Sequence, residues 1–171
     1  MPTRSRLQHM DVEVRRASPA DVADLAGLYL ENHRFQAELV PEVLCEPSAE
    51  WITEGLTTEL LLMLRRPEQA IFLASSDGLT VGLVDVLVVD APMSEGAVSR
   101  RYARVDNLVV TTDRRSSGVG SRLMGAAEEW ARSKEIAELE VKIWDRPGGP
   151  LRFYETLGYV TISRSMVKAL R

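Results

Sequence analysis

Apolar residues recur along this chain with two periods, and the switches between them outline its elements. Val12 to Ala17, VEVRRA, alternates apolar and polar side chains and predicts a first strand. Ser18, Pro19 and Asp21 then form a helix start: a hydroxyl cap, a proline at the first helical position and an acid three residues after the cap. Val22, Leu25, Leu28 and Tyr29 continue as its apolar stripe. A second helix follows Pro47-Ser48, carries Ile52, Leu56, Leu60 and Met63 on one face, and stops before Pro67.

From residue 70 the period becomes two. Residues 70–76 (AIFLASS) and 80–90 (TVGLVDVLVVD) predict two strands joined by the hairpin turn Asp77-Gly78. After the loop 91–100, a third strand runs over 102–112 (YARVDNLVVTT). A helix from Gly118 to Lys134, a strand over 137–144 (AELEVKIW), a short helix over 150–158 (PLRFYETLG) and a closing strand over 159–170 (YVTISRSMVKAL) complete the order. No internal repeat or low-complexity linker interrupts it. The expected fold is a single α/β domain, a mixed central sheet with an antiparallel meander, flanked by helices.

One strand breaks its own pattern. Ala103 and Val105 share a face, but the next apolar residues in that phase are Leu108 and Val110, so the alternation slips by one between Asp106 and Asn107. A β-bulge absorbs such a slip, re-aims side chains and interrupts pairing. The strand is then expected to part from a neighbour and leave unpaired N–H groups near Asn107 to Val110. An unbulged strand with Asp106-Asn107 at the sheet edge is the equally weighted alternative.

Composition narrows the function classes. The 171 residues suffice for one domain with a proper core. With 45% hydrophobic and 27% charged residues, the chain is an ordinary soluble globule. Its apolar runs are strand-sized, far below the ~20 residues that span a bilayer, so no membrane partner is expected. A net charge of −4 argues against bulk nucleic-acid binding. The clusters Arg100-Arg101-Arg104 and Arg114-Arg115 read as solvated strand and loop ends. Cys45 is the single cysteine, which excludes an internal disulfide, and His9 and His33 are too few and too badly spaced for a metal site. Cytoplasm is the default location. Residues 1–10 are basic with no apolar segment behind them and read as a flexible leader to a domain over 11–171. A homodimer is left open.

Candidate chemistry begins at Arg114 to Ser121, RRSSGVGS, between a strand and a helix. The first-turn amides of a helix have no partner within it, and its dipole adds partial positive charge there. Small residues let a phosphate approach, so the segment is suited to cradle an anion. It is not a P-loop, because no lysine follows Gly120, and not a dinucleotide fingerprint, because Leu123 stands where a third glycine belongs. The spacing that fits is Arg-x-x-Gly-x-Gly, met by Arg115, Gly118 and Gly120. A second segment, RFYETLGY from Arg152 to Tyr159, pairs Phe153 with Leu157 on one helical face and ends on Gly158 as a helix cap. Tyr154 lies on a different face and need not be core. Taken alone, such a tyrosine is more often packing than catalysis.

Bulged strand, Arg-x-x-Gly-x-Gly at a helix start, a charged strand and FYETLGY before the chain's last segment together resemble the GNAT superfamily of N-acetyltransferases. The resemblance covers about Val12 to Leu170 and is sharpest from Val105 to Tyr159. It implies the GNAT fold, acetyl-CoA as cosubstrate and transfer of an acetyl group to an amine in a ternary complex. By the same resemblance, the pyrophosphate of CoA rests on Arg115, Ser116, Ser117, Gly118, Val119, Gly120 and Ser121. The pantetheine arm pairs with the backbone of Leu108, Val109 and Val110, where the Val110 or Val109 amide polarises the thioester carbonyl. Tyr154 matches the residue that protonates the departing thiolate. Asp106 matches the acidic position of polyamine-acetylating relatives and is the candidate general base, directly or through a water, with Glu31, His33, Asp85 and Glu140 as rivals. Some protein-acetylating relatives place that acid two residues earlier, where this chain has Arg104.

Two departures from the family pattern stand out. Counting back from the tyrosine, the family asparagine falls on Pro147; counting forward from Leu139-Glu140-Val141, it falls on Asp145. A two-residue insertion around Gly148-Gly149 reconciles the counts and makes Asp145 the candidate contact to the CoA arm. The tail after Gly158 has room for one long strand rather than a closing pair.

The acceptor is expected to be a small-molecule or protein amine, met by residues 31–51 and by the loop 90–99. Glu31, Glu38, Glu42, Glu46 and Glu50 either attract a cationic amine or form a solvated face, the second reading being slightly favoured. Trp51 and Phe35 either line a pocket or simply pack. A non-catalytic acyl-CoA-binding module on the same scaffold is the competing class.

Overall fold

The structure is a computed structural model that describes residues 11–91, 95, 96, 98–168 and 170; the leader 1–10 and part of the loop 90–99 lie outside the described residues. Among the described residues, five strands form one sheet in chain order: β1 (Val12–Arg16), β2 (Gln69–Ser76), β3 (Leu79–Ala91), β4 (Arg100–Val110) and β5 (Leu139–Val141). The first four run antiparallel to their neighbours, while β5 joins β4 in parallel. A parallel join needs a crossover, and α3 (Val119–Ser133) supplies it. The sheet is mixed, as expected.

The helix starts follow their sequence signals. Ser18 caps a short 3-10 turn, Pro19–Asp21, through its backbone amide and hydroxyl, which donate to Asp21 Oδ2 at 2.8 and 2.9 Å. α1 (Val22–Leu39) follows. α2 (Leu56–Arg65) is preceded by one wide π turn over Trp51–Gly55.

Strand alternation sends two sets of side chains to opposite faces, and each set is covered by helices. Leu25 and Leu28 of α1 and Leu56, Leu60 and Met63 of α2 pack on Ile71, Leu73, Leu83 and Val109. On the other face, Val119, Leu123, Ala127 and Trp130 of α3 pack on Val84, Val86, Ala103 and Val105, joined by Tyr154 of α4 (Leu151–Thr156). Leu25, Leu60, Leu73 and Leu83 are fully shielded, and each such burial contributes roughly 1.5–3 kcal/mol.

The C-terminal part departs from expectation. The predicted strand over 137–144 is paired only at Leu139–Val141. The predicted closing strand over 159–170 does not form among the described residues, and Val160, Ile162 and Met166 stand 81%, 70% and 92% exposed. The alternation is interrupted there: Val160, Ile162 and Met166 fall on one face, but Arg164 and Lys168 share that face and Val167 falls on the other. No helix among the described residues is long and apolar enough to cross a membrane.

Candidate active site

The bulge forms where the alternation slips. Asp85 of β3 opposes Asn107, but Val86 opposes Val105, so Asp106 is the extra residue. β5 follows β4 only as far as Val105, opposite Val141, and then the two strands diverge. Before the bulge, the Ala103 amide donates toward β5, to the Glu138 carbonyl at 2.9 Å. Beyond it, the Thr111 amide donates toward β3, to the Val81 carbonyl at 3.0 Å. Alternation along an extended strand therefore turns the Leu108 and Val110 amides into the gap left by β5. The Val109 amide points instead into the β3 ladder, and its side chain is buried under α1 and α2. Of the two amides considered for the thioester carbonyl, only that of Val110 faces the gap.

The residues of the Arg-x-x-Gly-x-Gly motif lie directly after β4. A 3-10 turn, Thr112–Arg114, leads through Ser116 (φ 60°) to Gly118 (φ 87°), the cap of α3. Gly118 occupies the left-handed region that a side chain would strain. The first helical amide with a partner is that of Arg122, donating to the Gly118 carbonyl at 3.2 Å. Those of Gly118, Val119, Gly120 and Ser121 precede it. At Gly120 an added Cβ would sit 3.2 Å from the Phe153 ring, so this glycine lets the helix start pack on α4. The Arg115 side chain lies beside its own strand: Nε donates to the Val110 carbonyl at 3.2 Å, and the guanidinium covers the Phe35 ring at 5.0 Å. Ser117 Oγ donates to the Arg114 carbonyl.

Tyr154 is more buried than its helical face implies. The chain reverses at Gly158 and brings Tyr159 back, its amide donating to the Tyr154 carbonyl at 3.1 Å. The Tyr154 ring is wedged edge-on between Phe153 and Tyr159, at 5.1 and 5.7 Å. Burial pushes its phenol up to about 12, so it holds its proton at neutral pH. Burial likewise pushes the Tyr159 phenol up. Asp145 stands in the exposed turn after β5 and pairs with Arg164 at 3.1 Å.

On the opposite face of the sheet, beneath α1 and α2, lies a cavity of about 270 Å³. Asp85 and Asp106 both line it, together with Tyr29, His33, Trp51, Glu59 and Arg66. Asp106 is committed to Arg104, whose Nε and Nη2 donate to its two oxygens at 2.5 and 3.1 Å. Asp85, only 1% exposed, accepts from Gln69 Nε2 at 2.8 Å, from the Tyr29 hydroxyl at 3.0 Å and from Asn107 Nδ2 at 3.4 Å. Asn32 Nδ2 extends the network to Asn107 Oδ1 at 3.0 Å. Burial raises the proton affinity of Asp85, partly offset by these donors, and raises that of Tyr29 as well.

Among the sequence candidates, Glu140, one register step from where β4 and β5 part, pairs with Arg100 at 2.8 Å. Glu31 and Glu38 line an open groove with Arg34, Phe35, Thr112 and Arg115 rather than the cavity. His33 lines the cavity, with Nε2 at 2.8 Å from the Cys45 carbonyl. Of the remaining acids in the segment 31–51, Glu42 pairs with Arg146 and Glu46 with Arg34. Sequence reasoning missed Asn32, Gln69 and Asn107, and took Tyr29 as packing alone. The available signal was Asp85 itself, an acid inside an otherwise apolar strand.

The family model for the acetyltransferase (GNAT) family matches residues 36–159. The chain belongs to this family, and it spans about six-tenths of the length of two of the curated relatives it matches. Over 149 residues it is 29% identical to the uncharacterized N-acetyltransferase MJ1207 of Methanocaldococcus jannaschii, covering 85% of this chain and 59% of that one. Over 104 residues it is 28% identical to the aminoglycoside N(6')-acetyltransferase type 1 of Klebsiella aerogenes, covering 61% of this chain and 64% of that one. The fold matches that of a tetramutant of the BH1408 protein from Bacillus halodurans with TM-score 0.81 and 18% identity, over 92% of this chain and 99% of that one. It also matches AAC(6')-Iy in complex with the bisubstrate analog CoA-S-monomethyl-acetylneamine, with TM-score 0.71 and 18% identity, over 94% and 99%. At these identities the two structures speak to the fold alone.

Proposed function

We propose that this protein acetylates a small-molecule amine by direct transfer from acetyl-CoA in a ternary complex. The observation that carries the reading is the parting of β4 and β5 at the Asp106 bulge. It leaves the Val110 amide facing a gap, with the glycine-rich helix start at one end and a carboxylate-lined cavity beneath. A cavity of about 270 Å³ favours a small acceptor, and the Klebsiella aminoglycoside acetyltransferase supports the same class.

In this reading the Gly118 to Ser121 amides hold the pyrophosphate, and the glycines keep side chains out of its way. The Leu108 and Val110 amides pair with the pantetheine arm as a sheet edge pairs with a strand. Negative charge develops on the carbonyl oxygen as the amine attacks, and the fixed Val110 amide stabilises it without reorganising. Asp106, at the bulge, offers an acceptor ammonium its first carboxylate. The Tyr154 phenol donates its proton to the departing thiolate. The amine nitrogen sheds one proton before attack and a second on collapse, and the second restores Tyr154. Asp145 is the proposed contact to the CoA arm from the far side, in exchange for Arg164.

Free thiol release from acetyl-CoA over a panel of putrescine, spermidine, glucosamine and kanamycin tests this reading. Turnover with at least one member is expected. Silence across the panel, with acetyl-CoA still raising the melting temperature, selects the non-catalytic acyl-CoA-binding module instead.

A further inference from the structure

We propose that Asp85 is the proton sink for the acceptor amine, reached through the hydroxyl of Tyr29, while Asp106 holds the ammonium group at the cavity wall. This inference rests on the acetyltransferase reading and adds to it the route of the proton.

The geometry separates the two carboxylates by what they already touch. Asp106 has both oxygens on one guanidinium, that of Arg104. Among the described residues, Asp85 accepts from neutral donors only: Gln69, Tyr29 and Asn107. It lines the cavity but is only 1% exposed, whereas Tyr29, which lines the same cavity, is half-buried. Tyr29 therefore stands between solvent-accessible space and a buried carboxylate, with its proton aimed at Asp85 Oδ2 at 3.0 Å. The bulge ties this pair to the reaction gap. Asn107, the register partner of Asp85, follows the extra residue and begins the segment that faces the gap.

The transfer balances. The ammonium gives a proton to the Tyr29 oxygen as the Tyr29 hydroxyl passes its own to Asp85. The amine becomes neutral, Tyr29 remains a phenol, and Asp85 becomes a carboxylic acid that later returns the proton to solvent. A carboxylate whose burial raises its proton affinity takes a proton nearer neutrality than an exposed one. The titratable and charged groups that share its cavity are Tyr29 and His33 from α1, Glu59 from α2, Arg66 from the turn behind it and Asp106 from β4.

The test uses the best acceptor of the amine panel and follows kcat and KM against pH. Tyr29→Phe and Asp85→Asn are each expected to lower kcat about 100-fold or more, the scale of a lost acid–base group. Both remove the rising limb of log kcat with pH, and both leave the acetyl-CoA-induced melting shift intact. Asp106→Asn is expected to raise KM for the amine while the limb persists. Should Asp85→Asn fail to fold, Tyr29→Phe decides alone. A Tyr29→Phe enzyme with wild-type kcat and an unchanged limb overturns the relay while leaving the acetyltransferase reading intact. Loss of the limb in Asp106→Asn overturns it in favour of Asp106. Silence of the wild-type enzyme across the panel overturns both readings.

Discussion

The two sides of the β4–β5 gap are built in different ways. On the helix-start side, the gap-facing amides and the first turn of α3 come from one continuous stretch, Leu108 to Ser121, and most of the groups involved are backbone. On the cavity side, Tyr29, Asn32, Gln69, Asp85 and Asn107 come from α1, β2, β3 and β4 and meet only through tertiary packing. A site made of consecutive amides depends on conformation and tolerates side-chain change wherever φ and space permit. A site made of distant side chains depends on each residue's identity.

Removing the gap-facing donor is the largest perturbation of the first side. The Val110 amide lies outside the β3 ladder, so Val110→Pro deletes it without deleting a ladder bond. A fall in kcat of roughly 10²–10³-fold is expected from steady-state thiol release, the scale of a lost oxyanion donor. Tyr154→Phe removes a proton donor but leaves a fair leaving group, so a loss of about 10²-fold in kcat is expected, with acetyl-CoA affinity kept.

Conformation alone is probed at Gly118. Its φ of 87° becomes strained in Gly118→Val, at roughly 1–2 kcal/mol. About a tenfold weaker acetyl-CoA affinity is expected by calorimetry, since ~1.4 kcal/mol is tenfold. An unchanged affinity would show that the cradle does not need that geometry.

Asp21 serves as a control away from both sides. The Arg15 guanidinium, at 2.6 Å, holds its carboxyl well below the usual carboxylate range, with the Ser18 amide and hydroxyl adding to the effect. A depressed folded pKa contributes stability above the ordinary carboxylate pKa and loses it as pH falls below that value. Asp21→Asn is expected to cost about 1 kcal/mol at pH 7, as for a lost helix cap, with the deficit shrinking on acidification and kcat unchanged. Melting curves at pH 7 and pH 3 check it.

The same contrast governs what the sequence revealed. The bulge was legible because a one-residue slip in alternation has few structural solutions, and Asp106 is indeed the extra residue. The Gly118 cap was legible because glycine marks a positive φ. Alternation also identified Leu108 and Val110 as sharing a face, although choosing between the Val109 and Val110 amides required the ladder. The closing strand was misread because Val160, Ile162 and Met166 share a period-2 face, yet Arg164 and Lys168 interrupt it and the segment joins no sheet among the described residues. Tyr29 sat at a core spacing, so nothing local distinguished its hydroxyl from an ordinary amphipathic stripe. Asp85 was visible as a misplaced acid, but its donors lie 16 to 56 residues away.

The most direct test of the account is a two-substrate initial-rate experiment, with acetyl-CoA and the best panel amine varied together and thiol release as the readout. Direct transfer in a ternary complex predicts double-reciprocal lines that intersect. Parallel lines, the signature of an acetylated enzyme intermediate, would contradict it.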